Sequence, residues 1–313
     1  MARYVASRVA WLVLALLGVS IITFALGVLA PGDPAEVVLE RRLNQPPPQE
    51  QIDEQRRLMG LDRPLPVQYL EWLKRAVRGD LGRSWLKGLG VAEALQQRIP
   101  RTASLALAAA ALSIALGVPA GVLAATRHNA FADHVCRLAA LLGASLPSYF
   151  TAYLLILIFA VQLNAVPAFG FGSPQHLVLP AITLALGPAA VLTRLTRSAV
   201  LEVLSEDFVR TAQAKGARQR AVLFRHALRN AGVPLLTVAG LSLGHLLGGS
   251  LIVEWVFAWP GMGDLAIAAI HDRDYPLIQG FVLFAGMVYV VVHFAIDLGY
   301  AWLDPRVRQG EAR

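Results

Sequence analysis

The sequence contains one cysteine, Cys136, and little charge. A lone thiol cannot close an internal disulfide, so a disulfide-stapled secreted scaffold is excluded. Charged residues make up 16% of the 313 positions, against roughly 25% in soluble domains, which is too few to clothe a water-facing surface. Catalytic patterns are missing as well. No G-x-x-x-x-G-K-[ST] phosphate loop occurs, and the glycines at Gly143, Gly187 and Gly248-Gly249 are not followed by the lysine such a loop needs. H-E-x-x-H is absent, and no motif places a Ser-His-Asp set. The seven histidines are scattered, which argues against one metal cage. No internal duplication is visible. No cofactor is therefore expected on this chain, and a membrane-embedded enzyme lacks its constellation. Any uphill movement of a solute must draw energy from another chain or from an ion gradient.

Apolar sequence is abundant. Hydrophobic residues reach 56% and mean hydropathy is +0.54. Six stretches are long enough to cross a bilayer, whose core needs about 20 helical residues. They read Val9–Ala30, Thr102–Ala125, Leu138–Leu163, Leu177–Leu201, Val233–Phe257 and Leu277–Leu303. They lack the alternation of barrel strands, so the spans are predicted to be helices. The first follows Arg3 and Arg8 but is about twice a usual signal-peptide core, with no clean A-x-A site after it; it reads as a retained anchor. The expected fold is an all-α integral membrane protein with six spans.

Orientation follows from Lys and Arg. Segments 1–8, 126–137, 194–230 and 304–313 carry 2, 2, 8 and 3 of them, while 161–176 and 254–276 carry none and one. Segment 31–101 holds twelve against ten acidic residues and is too long to steer topology. Both termini and the 194–230 loop are thus predicted to be cytoplasmic, and 31–101 external. The net charge of +7 is accounted for by topology, and no nucleic-acid partner is expected. The organisation is a tail and first span over 1–30, an external loop over 31–101, a core over 102–303 and a cytoplasmic tail over 304–313. In the external loop, the stretch after Pro46-Pro47-Pro48 is predicted to be helical up to Gly60. A second helix follows Pro64 and Pro66, with Val67, Leu70, Leu73 and Val77 on one face: a small amphipathic cap over the outer mouth, or a solvated connection.

The cytoplasmic segment 205–230 is patterned beyond what topology requires. Ser205-Glu206-Asp207 offers an N-cap with acidic first-turn residues. A short helix Phe208–Lys215 is broken at Gly216, and a basic helix Arg218–Asn230 follows. Such an elbow suits docking by another protein; the plainer reading is a positive-inside loop. Polar groups inside the spans are pathway candidates. Ser145, Pro147, Ser148 and Tyr149 form a proline-broken patch in the third span, where a kink beside a pore is expected. His245 lies mid-way along the fifth span, as a cavity-facing group or an interhelical hydrogen bond. Gly244, Gly248 and Gly249 read as packing positions. Glu254 ends that span, as a gate or an interface charge, and His293 and Asp297 are spaced as a structural pair on the sixth.

Nine strings spread along the chain resemble one family. They are PGDP at 31–34, LMGLDRPLPVQYLEWL at 58–73, GDLGRS at 79–84, SLPSYF at 145–150, HLVLPA at 176–181, DFVRTAQAKGARQRAVLFRHALRNAGVP at 207–234, FAWPGMG at 257–263, RDYPLIQG at 273–280 and LDPRVR at 303–308. The chain resembles the first-type permease subunit of the peptide and nickel class of binding-protein-dependent ABC importers. The resemblance implies a type I importer permease of a bacterial or archaeal inner membrane. It also implies four kinds of partner: a second homologous permease, two ATP-binding subunits, an extracytoplasmic solute-binding protein and the lipid bilayer. The solute would be a dipeptide, an oligopeptide, glutathione, or nickel or another metal chelate. Segment 207–234 looks like the loop whose short coupling helix seats in the ATPase. The residues carried over are Asp207, Phe208, Arg210, Thr211, Ala212, Lys215 and Gly216. Ala212 and Gly216 match that motif's second alanine and its glycine, whereas Arg210 and Thr211 replace its glutamate and first alanine. The alternative is an ion-coupled secondary transporter, against which stands the lack of any Asp or Glu at a predicted midplane.

Overall fold

The computed structural model describes residues 2–29, 32–43, 45–216 and 250–303, together with isolated positions between 232 and 247. Among the described residues the regular structure is helical, apart from one isolated bridge between Arg83 and Gly90. In chain order the helices are α1 (Ala2–Leu29), α2 (Pro34–Leu43), α3 (Gln49–Leu58), α4 (Leu65–Val77), α5 (Val91–Thr126) and α6 (Phe131–Ser145). They continue with α7 (Ser148–Leu155, prolonged by π-helical turns over Ile156–Gln162), α8 (Gln175–Ser205), α9 (Asp207–Ala214), α10 (Leu251–Val256), α11 (Met262–Asp272) and α12 (Tyr275–Leu303).

Four stretches are long and apolar enough to cross a bilayer: Ser7–Leu29 of α1, α5, α8, and Tyr275–Ile296 of α12. The predicted third span breaks at the proline patch where a kink is expected, and the bend is sharper than a kink. Leu138–Leu163 is not one helix; α6 and α7 meet at 107°, and together they would make a fifth span. The break falls at Leu146-Pro147, both with extended ψ near 130–140°. Proline removes a backbone donor and drives its predecessor out of the α region, so the helix cannot continue through this point. Of the predicted fifth span, Val233–Phe257, the described positions before 250 are helical, and its last part is the separate short helix α10.

The centre of the molecule is the α5–α8 pair, and small residues make it. Ala106, Ala109, Ser113, Gly117 and Gly121 recur every three to four residues on the buried side of α5. Ala185, Ala189, Ala190, Thr193 and Thr196 answer them on α8. A Cβ on Gly117 would sit 2.7 Å from the Ala189 carbonyl oxygen, so the two backbones are in direct contact there. In a bilayer this close packing substitutes for a hydrophobic driving force. Helix α1 packs on α12, where Gly286 admits Val19, and also touches α4.

The external loop holds one more helix than expected. Helix α2 is absent from the sequence reading because Pro34–Leu43 is polar and has no long apolar period. Its buried Ala35 and Val38, with Ile52 of α3, form the small apolar inside of this region. Asp33 bonds Arg56 across the turn, and that bond pushes the guanidinium above its ordinary range. Helix α3 ends as predicted: Gly60 takes φ +70°, and Leu61 N donates to the Arg56 carbonyl at 3.0 Å.

Candidate functional site

Helix α9 leaves the C-terminal end of α8 through a single extended residue, Glu206, with ψ 147°. Ser205 is not its cap; the Ser205 hydroxyl donates back to the Glu202 carbonyl at 2.7 Å, and Val209 N donates to the Glu206 carbonyl at 3.0 Å. Asp207 opens the helix, where a carboxylate suits the positive end of the dipole. Val209 is buried while Phe208 is exposed. Thr211 donates its hydroxyl to the Asp207 carbonyl at 2.9 Å, and Lys215 N donates to the Thr211 carbonyl at 3.1 Å. Gly216 then turns the chain at φ +83°. A Cβ there would meet nothing within 4 Å, so the glycine is required by the backbone and not by crowding. Arg210 and Ala212 lie on α9, with side chains outside the described residues.

A second feature is a cavity of about 450 Å³ between the α6–α7 break and α8. It is lined by Ser148 and Thr151 from α7, Thr183, Gly187 and Pro188 from α8, and Ser242. The proline break and the two prolines of α8 open backbone here that regular helices would close. Ser148 therefore stands at a cavity wall. Ser145 faces away, with its hydroxyl bonded to the Leu141 carbonyl at 2.8 Å, and Tyr149 is exposed on the outer side of α7. His245 lies outside the described residues. His293 bonds the Tyr289 carbonyl at 3.1 Å, and the side chain of Asp297 is outside the described residues.

Glu254 occupies neither a mouth nor a surface. Its side chain is wholly buried and accepts four bonds: from the Thr102 hydroxyl at 2.8 Å, the Ser250 hydroxyl at 2.7 Å, Gly263 N at 2.6 Å and Asp264 N at 3.3 Å. One carboxylate thus ties α10 to α5 and to the first turn of α11. Two hydroxyls and the N–H groups at the positive end of the α11 dipole are the partners of this carboxylate. Met262 N also donates to Thr102 Oγ1 at 2.7 Å. Close approach requires glycine at two positions: a Cβ on Gly261 would strike the Glu254 carboxylate, and one on Gly263 would lie 2.6 Å from Leu251 Cα. The hairpin tip is held from outside as well. Trp259 Nε1 donates to the Arg101 carbonyl at 3.1 Å and stacks edge-on against Phe171 at 4.9 Å.

Two further buried acids escaped the sequence reading. Asp133, wholly buried, takes both Arg197 Nε at 2.7 Å and Arg197 Nη2 at 2.8 Å, together with Asn129 N at 2.9 Å, and so ties α6 to α8. Asp274 accepts from the Ser84 hydroxyl and from Trp85 N at 3.4 Å, which locks the end of the external loop to the start of α12. The partners are 64 and 190 residues apart, so no local pattern could pair them. Among the described residues no group of three or more His, Cys, Asp or Glu side chains is arranged to hold a metal ion.

This fold is shared by solved importer permeases. The chain superposes on the methionine ABC transporter MetNI in an inward-facing conformation with a TM-score of 0.56, at 18% identity, covering 67% of this chain and 96% of that one. Residues 117–309 match the family described as binding-protein-dependent transport system inner membrane component, and residues 1–106 match the N-terminal region of such membrane components. A putative peptide permease protein of Brucella ovis is 41% identical, covering 94% of this chain and 95% of the relative. The di/tripeptide transport system permease protein of Pseudomonas aeruginosa is 39% identical, covering 98% and 99%. The chain belongs to the binding-protein-dependent transport system inner membrane component family. It is a transmembrane permease subunit of an ABC importer, resident in the inner membrane.

Proposed function

We propose that this chain forms one half of the translocation path of an ATP-driven importer of short peptides, and that α9 is the element through which ATPase subunits move it. The observation that carries the proposal is α9 itself: a short amphipathic helix, joined to α8 by one extended residue and stopped by a left-handed glycine. A lever needs a rigid arm with sharp ends, and this segment has both. Asp207, Phe208, Arg210, Thr211, Ala212, Lys215 and Gly216 would form the contact with an ATP-binding subunit. ATP hydrolysis would belong to those chains, with this one contributing no catalysis and no cofactor. A second permease subunit would complete the path, and an extracytoplasmic binding protein would deliver the solute. Peptides are preferred over nickel and metal chelates because the named relatives are peptide permeases.

The proposed topology has six spans, both termini and α9 in the cytoplasm, and the 31–101 loop outside. The distribution of Lys and Arg supports it. The path would run along the cavity at Ser148, with His245 a further lining candidate. Glu254 has a different role: it fixes the α10–α11 hairpin beside the path and does not itself meet solute.

Alternating access makes a direct prediction. With Cys136 replaced by alanine, a Ser148→Cys variant of the assembled transporter should react with a small water-soluble thiol reagent at different rates in nucleotide-free and ATP-trapped complexes. Protection in both states, or equal rates in both, would contradict a path at this cavity.

A further inference from the structure

We infer that α4 is a membrane-interface helix seated among lipids in the outer leaflet beside α1, and not a lid across the pore mouth. The depth of α4 comes from what it touches. The Tyr69 hydroxyl is 2.8 Å from Ser20 Oγ, and the Phe24 ring lies 5.5 Å from Tyr69 and 6.1 Å from Trp72. Helix α1 ends at Leu29. At 1.5 Å per residue, Phe24 and Ser20 lie roughly 8 and 14 Å below that end. The neighbouring α12 gives the same level for the membrane boundary. Gln279 meets Gly27, and α12 begins at Tyr275, directly after Asp272-Arg273-Asp274. Tyr69 and Trp72 therefore reach below the boundary of the apolar layer, which is the depth of an interfacial helix and of the aromatic belt.

The remaining faces of α4 sort by chemistry. Leu70 and Val77, seven residues apart on one face, are 52% and 81% exposed. Helical spacing places them beside Tyr69 and Leu73, next to the α1 surface that presents Leu17, Ile21 and Val28. Those α1 side chains belong to a stretch long and apolar enough to cross a bilayer, so the exposed stripe of α4 continues an apolar surface of the kind lipid covers. Arg75 and Arg78 are exposed on the polar side of the helix, while Lys74, four residues after Leu70 and three before Val77, is exposed at the edge of the stripe, where its long stem can lie along apolar surface and carry the charge past it. Water or a protein partner over the stripe would leave that continuity unexplained. The bilayer is the one occupant that suits both the apolar stripe and the cations flanking it.

The side of the membrane rests on the topology proposed above; the depth does not. Spin labels at Leu70→Cys, Val77→Cys and Arg75→Cys, each in a Cys136→Ala background, would be read in the complete transporter in liposomes. Labels at 70 and 77 should collide with dissolved oxygen more often than with a water-soluble nickel chelate, and the label at 75, on the opposite side of the helix, should show the reverse ratio. Chelate-dominated collisions at 70 and 77 would overturn the proposal in favour of a solvated cap. Shielding of both labels from both reagents would overturn it in favour of a protein partner. An impermeant reductant added outside should bleach the label at 75. A protected label at 75 with the oxygen ratios intact would overturn the outer-leaflet assignment, and with it the topology, while leaving the depth standing.

Discussion

Gly216→Val should leave the permease in the membrane at near-normal abundance and lower ATPase association, or binding-protein-stimulated ATP hydrolysis, roughly tenfold or more. The size follows from the backbone. Gly216 sits at φ +83° with open space around it, so the change adds no clash. An L-residue in the left-handed region costs about 1–2 kcal/mol, more for a β-branched one. That energy cannot unfold a protein whose core is the α5–α8 pair. It can straighten the turn and swing α9, and 1.4 kcal/mol of misfit is about tenfold in a binding constant. Gly216→Asn supplies the control, because asparagine tolerates this region. It should retain most coupling. Pull-down of the ATP-binding subunits and ATP turnover in the purified complex measure both variants; normal values for valine would remove α9 from the coupling role.

Glu254→Ala should cost the fold itself. It would strand two buried hydroxyls and the N–H groups of Gly263 and Asp264. A buried donor left unmade costs about 1–3 kcal/mol, so the loss sums to several kcal/mol, on the order of a whole domain's margin. The expected result is a sharp fall in membrane abundance and in thermal stability. Glu254→Gln should be mild, since its amide oxygen can accept from Gly263 and Asp264 while its NH2 donates to hydroxyls that rotate to receive it. A quantitative blot of membranes, with a melting curve in detergent, decides the matter. Equal loss in both variants would mean that the charge matters and not the hydrogen-bond set.

Apolar length made the long helices of the membrane region legible. Helices α1, α5, α8 and α12 lie where the sequence predicts spans, because twenty or more apolar residues without a break leave the chain few options. Pro147 announced a kink but not its size, since proline dictates that a helix must stop and not where the next one points. The glycine at 216 was readable because a helix end demanding positive φ carries a local signature. Glu254 was visible as an oddity and misplaced. Its partners come from Thr102 and from residues nine and ten positions onward, and only folding brings them to one carboxylate. Asp133 and Arg197 were missed for the same reason. Amphipathicity found α4 but left open what its apolar face would meet, which needed the height of Ser20 and Phe24.

The central claim is that this chain moves peptide only when ATP is hydrolysed by partner subunits. Uptake of radiolabelled short peptides into proteoliposomes tests it most directly. The assembled complex, with its binding protein outside and ATP inside, should accumulate peptide and should stop when ATP is replaced by ADP. This chain alone should accumulate none under an imposed proton or sodium gradient. Gradient-driven accumulation by this chain alone would contradict the claim and make it an ion-coupled transporter.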